Sequence, residues 1–297
     1  MSELALRTLF AVIAAPLALG IVLVGGAPLA ALLAVVCALG AWEFYRIARA
    51  AGANPLSDAG IALAGLVPLA IHASYLGVLT VSPAIAALVV LLLLGASIWL
   101  RGVEGRPIAA VATTLLGVVY TAGMLGFGYA IRYHDTVRGY DDVASIHLGM
   151  HIAPGGVLLV FPLVVTWASD IGAYFVGRTI GGRKLIPSVS PGKTVAGAVG
   201  GLVTSMLVAW AYAHWVLVPV AQLGFTPWGA LLFGTLISAA AQVGDLFESL
   251  IKRESGMKDS SHIIPGHGGI LDRFDSLIFV LPVAYLLLGW LPLPVLR

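Results

Sequence analysis

Charge is what this chain has least of. Of its 297 residues only 10% are Asp, Glu, Lys or Arg and 60% are hydrophobic, with a mean hydropathy of +1.01. A soluble domain carries about 25% charged residues. The composition therefore excludes a soluble globular protein and points to a polytopic membrane protein. A net charge of +2 is too small to suggest a nucleic-acid partner. Cysteine is nearly missing too. Cys37 stands alone in an apolar run, which excludes an intramolecular disulfide and reads as a buried, inert thiol. With one remote thiol, no HExxH spacing and no EF-hand loop, neither a zinc site nor an all-protein calcium cage is expected. Glycine is plentiful at 36 residues, which suits close helix packing in lipid.

A bilayer core of about 30 Å needs apolar runs of roughly 17–25 residues. Nine can be drawn: Thr8–Val24, Pro28–Ile47, Ala59–Leu76, Pro83–Leu100, Ile108–Ile131, Gly156–Val176, Thr194–Val218, Pro227–Leu250 and Leu271–Leu291. Turn residues such as Gly25-Gly26-Ala27-Pro28, Asn54-Pro55, Ser82-Pro83, Arg106-Pro107 and Thr226-Pro227 separate them. The first run has a basic Arg7 before an apolar core, as a signal peptide would. It leads straight into a second long run, and a retained helix is expected. The expected fold class is all-α, a polytopic integral membrane protein of about nine transmembrane helices. Residues 1–155 hold about five of these and an outside loop at 132–155. Residues 156–297 form a C-terminal catalytic region with cytoplasmic loops at 177–193 and 251–271.

Lys and Arg set the orientation. With the N-terminus in the cytoplasm, 13 of the 16 basic residues fall on the inside, and only Arg132, Arg138 and Arg297 fall outside. This predicts a cytoplasmic N-terminus and an outside C-terminus. The outside loop 132–155 holds His134, Asp135, Asp141, Asp142, His147 and His151 without distinctive ligand spacing, and reads as solvated.

The exception to the oily composition is the segment 249–275. It carries Lys252, Arg253, Lys258 and Arg273, the carboxylates Glu254, Asp259, Asp272 and Asp275, His262 and His267, and Pro265-Gly266-His267-Gly268-Gly269. Carboxylates suit a divalent cation, Lys and Arg suit phosphate oxygens, and Gly permits close backbone approach. Ionisable groups inside spans are expensive and point to function. Asp170 lies in the sixth run, eight residues before Arg178, hence about 12 Å from the cytoplasmic end. Asp245 lies in the eighth, seven before Lys252, hence about 10 Å from it. Glu248 follows Asp245 by three residues and Asp275 follows Asp272 by three, so each pair can share a helix face. Paired carboxylates from two helix ends make a plausible Mg²⁺ site. Gly192-Lys193-Thr194 resembles the end of a phosphate-binding P-loop, but Pro187 stands where that loop needs its first Gly, and no strand is expected before it. Lys193 and the start of the seventh helix still offer a charge and backbone N–H groups to an anion.

These blocks resemble the signature of the phosphatidate cytidylyltransferase (CDP-diacylglycerol synthase) family. The resemblance runs over Ser249-Leu250-Ile251-Lys252-Arg253, Lys258-Asp259, Pro265 to Gly269 and Asp272-Arg273-Phe274-Asp275. Ser169 to Phe175 with Gly177-Arg178, and Ser190-Pro191-Gly192-Lys193-Thr194, also fit. It is specific over 166–276; earlier there is only an apolar multi-span region with a Trp42-Glu43-Phe44 block. It implies that phosphatidate and CTP give CDP-diacylglycerol and pyrophosphate, with Mg²⁺, at the cytoplasmic leaflet. It also implies metal ligands at Asp245 and Asp272, to which Glu248 and Asp275 add candidate carboxylates. Lys258, Asp259, His267 and Arg273 join Asp245 and Asp272 as catalytic candidates. Ser190, Lys193, Thr194, Lys252, Arg253, Gly268, Gly269 and Asp170 are substrate-binding candidates. Where the family often has Glu two residues after Lys-Thr, this chain has Ala196. The expected partners are CTP, phosphatidate and membrane lipid, with no nucleic acid; a second cation and a homodimer stay open. For a bacterial protein the expected location is the inner membrane, with the site facing the cytoplasm. Two other readings remain: a CTP-dependent lipid kinase of the polyprenol type, and an ion-coupled transporter.

Overall fold

The structure, a computed structural model, describes residues 3–137, 146–147, 150–151, 153–264 and 268–294. Its helices are α1 (Glu3–Val24), α2 (Gly26–Ala50), α3 (Ser57–Tyr75), α4 (Pro83–Leu100), α5 (Pro107–Val118), α6 (Phe127–Arg132), α7 (Pro154–Thr179), α8 (Val195–Tyr212), α9 (Pro227–Glu254) and α10 (Leu271–Trp290). A π-helical stretch, Val119–Gly123, lies between α5 and α6, and another, Ala213–Ala221, continues α8 past Tyr212. Among the described residues seven helical stretches are long and apolar enough to cross a membrane: Gly26–Ala50, Ser57–Tyr75, Pro83–Leu100, Pro107–Arg132, Pro154–Thr179, Val195–Ala221 and Pro227–Glu254. The chain is an all-α polytopic membrane protein. Of the nine expected runs, the first is represented by the shorter apolar stretch Val12–Val24, and the last by α10, whose start carries Asp272, Arg273 and Asp275.

Three short antiparallel strand pairs decorate the helices. They are β1 (Ile146–His147) with β2 (Met150–His151), β3 (Lys184–Ile186) with β4 (Ser190–Thr194), and β5 (Leu223–Phe225) with β6 (Pro292–Pro294). The second is a departure from the expected plain loop. Arg183-Lys184-Leu185-Ile186 turns through Pro187-Ser188-Val189 and returns along Ser190–Thr194, with Lys184 paired to Thr194 and Ile186 to Ser190.

The chain divides into two units, each of three segments. One comprises residues 1–14, 26–129 and 251–274; the other comprises 15–25, 130–250 and 275–297. In the first, α2 packs against α3, and α5 against α3 and α4. Tyr45 is fully buried where Gly60 of α3 and Gly117 of α5 leave no room for a Cβ, and its hydroxyl donates to Thr114 O at 2.6 Å. Thr114 in turn accepts from Leu56 N at 2.8 Å, which anchors the chain entering α3. A polar link of this kind is costly to leave unmade inside a membrane.

In the second unit α7 and α8 form the closest helix pair. Small residues make this approach possible. A Cβ on Gly200 would lie 2.5 Å from Val176, and one on Gly197 would lie 2.8 Å from Ala173 O. α9 joins them through a Ser169–Ser238 hydroxyl contact of 2.7 Å and through Gln242, whose amide donates to Ala198 O at 3.1 Å. Farther along, Phe161 stacks between Phe233, at 4.2 Å, and Tyr212, at 5.1 Å. The polar contacts and the aromatic stack fix the rotation of the three helices, and therefore which side chains face the space between them.

Candidate functional site

That space is a cavity of about 490 Å³ in the second unit, lined by Asp170, Tyr174 and Arg178 of α7, by Gly192, Lys193 and Thr194 of β4, by Gly197 of α8, and by Gln242 and Asp245 of α9. Its charged centre is the pair Lys193 Nζ–Asp245 Oδ2, 2.6 Å apart. The hairpin explains how Lys193 reaches it. Pairing with β3 extends the chain before α8, and Thr194 ends the strand as N-cap, accepting from Gly197 N at 3.0 Å. Two N–H groups expected to meet an anion at this helix start are already engaged: Gly197 N by Thr194, and Val195 N by Arg183 O at 2.9 Å. Charge at this end of the cavity therefore comes from the Lys193 ammonium. Arg178 brings a second cation. Its guanidinium donates to Tyr174 Oη at 2.6 Å and lies over that ring. Two acids and two bases thus line one half-open space between helices, an arrangement suited to a polyanion carried with a cation.

The first unit organises a second charged cluster around Asp272, on the first turn of α10. Lys252 Nζ stands 2.7 Å from Asp272 Oδ1. Asp272 Oδ2 accepts from Gly269 N at 2.7 Å and from Ser260 N at 3.1 Å, with Ser260 Oγ at 3.0 Å. The Asp272–Gly269 bond closes the start of α10 in the manner of a capping box, with a carboxylate where the helix dipole favours one. Gly268, at φ +82°, adopts the left-handed conformation that allows this turn. Gly269, expected to admit phosphate, instead has its missing side chain's place filled by Ser260 Oγ and the Glu43 carboxylate.

The remaining candidates spread more widely. Ser190 sits half-buried in β4, and Arg253, Lys258, Asp259 and Arg273 are exposed. Asp275 accepts from its neighbour Ser276 N at 2.6 Å, and Glu248 is buried at 1% exposure. His267, with Pro265 and Gly266, lies outside the described residues, as do Arg138, Asp141, Asp142 and Arg297. Three participants were not singled out from sequence. For Arg178 the sequence weighs positive-inside anchoring and a phosphate contact equally; its position four residues after Tyr174 on one helix face is the further signal. Gln242 lies one turn before Asp245 on α9. Glu43 is a lone acid in the second apolar run, and the rule that flagged Asp170 applies to it equally.

Among the described residues no three His, Cys, Asp or Glu side chains come together as a metal cluster. Mg²⁺ needs only one or two protein carboxylates and fills its other positions with water and phosphate. The oxygen chemistry fits such an ion. Asp170 and Asp245 face the cavity, and Asp245 and Asp272 each already hold a cation, the ammonium of Lys193 or of Lys252.

The sequence model of the cytidylyltransferase family matches residues 5–291. A phosphatidate cytidylyltransferase of Synechocystis sp. is 34% identical over 297 aligned positions, covering 94% of each chain. One from Bacillus subtilis is 43% identical over 161 residues, 51% of this chain and 58% of that one. One from Haemophilus influenzae is 46% identical over 129 residues, 43% of this chain and 44% of that one. The chain thus spans about half the length of these last two relatives.

Proposed function

Because this chain belongs to the cytidylyltransferase family, we propose that it transfers the cytidylyl group of CTP to phosphatidate, giving CDP-diacylglycerol and pyrophosphate. The observation that carries the proposal is the Lys193–Asp245 pair, set with Asp170 and Arg178 in a cavity between membrane helices. In the reaction a phosphate oxygen of phosphatidate attacks the α-phosphorus of CTP. A new P–O bond forms, the bond to the β,γ-diphosphate breaks, and pyrophosphate leaves with the electron pair. Both reactants are anions, so the protein lowers the barrier chiefly by positioning them and neutralising charge. Lys193 and Arg178 meet phosphate oxygens within the cavity. Asp245 holds the Lys193 ammonium in place until an anion arrives. Lys252, held by Asp272, and the exposed Arg253, Lys258 and Arg273 supply further positive charge to the segment 252–273. Phosphatidate is ionised near neutral pH, so no dedicated base is required.

The resemblance implies Mg²⁺ ligands at Asp245 and at Asp272; such an ion would supply neutralisation of the triphosphate charge, and Asp170 faces the same cavity as Asp245. The site faces the cytoplasm, with the N-terminus on that side, nine spans in all and the catalytic residues in the 156–297 region.

Purified protein incubated with phosphatidate, Mg²⁺ and each nucleoside triphosphate tests the proposal. The expected result is CDP-diacylglycerol and pyrophosphate from CTP. Formation of CDP and a phosphorylated lipid alcohol would instead identify a CTP-dependent kinase. Absence of any nucleotide turnover, with ion flux in proteoliposomes, would identify a transporter.

A further inference from the structure

Glu43 is fully buried on α2, and the reaction described above does not use it. Its two oxygens take four hydrogen bonds. Oε1 accepts from Ser261 Oγ and from Ile270 N at 2.9 Å; Oε2 accepts from Ser260 Oγ at 2.9 Å and from Leu271 N at 2.6 Å. All four donors belong to the segment that carries Asp272. Two are the N–H groups that open α10, where the helix dipole favours a negative group. The other two are hydroxyls of the preceding turn. A buried carboxylate is costly unless its lone pairs are filled, and here they are.

A simple tie between α2 and this segment could be made by apolar packing. A carboxylate adds direction: an accept-only group with four lone-pair sites fixes the orientation of four donors at once. One of those donors reaches farther. Ser260 Oγ lies 2.9 Å from Glu43 Oε2 and 3.0 Å from Asp272 Oδ2, so its one proton is shared between the two carboxylates, and Ser260 N separately donates to Asp272 Oδ2 at 3.1 Å. Gly269, whose N–H holds Asp272 at 2.7 Å, fits only because it has no side chain to meet Glu43. Asp272 in turn holds Lys252.

We propose that Glu43 is a positioning residue for cytidylyl transfer: from α2 it fixes Ser260, Ser261, Ile270 and Leu271, and through Ser260 and Gly269 it sets where Asp272 and Lys252 stand. This rests on the reading given under Proposed function. Glu43 touches neither substrate, so its loss acts on turnover through the geometry of its neighbours.

The test compares wild type with Glu43→Gln and Ser261→Ala, purified at matched level, by two independent readouts. The first is hydrogen exchange across the peptide 259–275. Gln has the shape of Glu but turns an NH₂ toward two of the four donors. One of the Ile270 and Leu271 amides then loses its acceptor, and the peptide should exchange at least about tenfold faster at that amide, while peptides of α7 are unchanged. The second is steady-state kinetics. A displaced Asp272 should lower kcat by about 10- to 100-fold, with kcat/KM falling in parallel and KM for CTP little changed. Ser261→Ala leaves the carboxylate in place and should move both readouts the same way by less, which keeps the test open if Glu43→Gln fails to fold. Faster exchange with normal kcat would make Glu43 a structural tie only, and unchanged exchange would mean that it does not hold the segment. Either overturns the proposal. A wild type that makes no CDP-diacylglycerol would overturn the functional reading and the catalytic half of this one, while the exchange result would still decide whether Glu43 fixes Ser260, Ser261, Ile270 and Leu271.

Discussion

Lys193 and Asp245 answer each other at 2.6 Å, and each is poorly suited to its surroundings without the other. A lone ammonium or carboxylate in a cavity between membrane helices carries a desolvation cost that its partner offsets. That is why charges in apolar runs were legible from sequence: Asp170, Asp245 and Asp272 stand out against a chain with 10% charged residues. Glu43 met the same criterion, yet as a single acid far from the 249–275 segment it pointed to nothing, because its donors come from more than 200 positions along the chain. Gly269 shows a related gap. A glycine signals close approach, but sequence does not say of what, and here the neighbour is a carboxylate of the protein itself. For the central pair, Asp245→Asn keeps the shape, removes the charge and leaves Lys193 without its counter-ion. Charge stabilisation around a transferring phosphate is worth several kcal/mol, so CDP-diacylglycerol formation should fall by at least about 10²-fold. Turnover per milligram of protein, at matched expression and monodispersity, measures it. Near-normal turnover would remove Asp245 from the site.

At the scale of elements, α7 and α8 show why glycine is so abundant. Gly197 faces both the cavity and the backbone of α7, with an added Cβ 2.8 Å from Ala173 O. Backbone cannot rotate away as a long side chain can, so the helices must separate to admit a methyl group. Gly197→Ala gains helix propensity worth about 1 kcal/mol, but overpacking of this kind costs about 1–3 kcal/mol. The net expectation is a lower Tm in detergent together with reduced turnover, because the displaced α8 carries Lys193 and Thr194 with it. Gly95 of α4 has open space around it and serves as control: Gly95→Ala should be neutral or slightly stabilising. A Gly197→Ala variant as stable and active as wild type would mean that the α7–α8 contact does not position the hairpin. The helices themselves were legible, because long apolar runs leave few alternatives in lipid. Their ends were less so: α9 runs to Glu254, four residues past the apolar limit, since a helix continues into water for as long as its residues favour it. The β3–β4 hairpin was not legible at all. Its segment is rich in Gly, Pro and basic residues, with no apolar alternation to mark strands, and its pairing rests on backbone groups that leave no side-chain pattern.

For the whole molecule, charge makes a claim about sidedness that the helices alone do not. Seven stretches are long and apolar enough to span, and they can be threaded through a bilayer in either direction. The distribution of 13 basic residues against 3, counted for a cytoplasmic N-terminus, predicts one of the two directions, because positively charged segments tend to stay on the cytoplasmic side. Arg183 and Lys258 are exposed and belong to the predicted cytoplasmic loops; Thr80, exposed in the turn between α3 and α4, belongs to the opposite side. Single cysteines at these positions, in a Cys37→Ala background, report sidedness directly, and Cys37 is itself fully buried, so the background change removes a thiol that reagents would scarcely reach. In intact cells a membrane-impermeant maleimide should label Thr80→Cys and leave Arg183→Cys and Lys258→Cys untouched until the membrane is opened. A fourth position separates nine spans from eight. Leu293 follows α10, so Leu293→Cys should label from outside when α10 crosses the bilayer and only after permeabilisation when it does not. Labelling of position 183 or 258 from outside would reverse the orientation and put the Lys193–Asp245 cavity on the side where CTP is absent, which a CTP-consuming enzyme could not use.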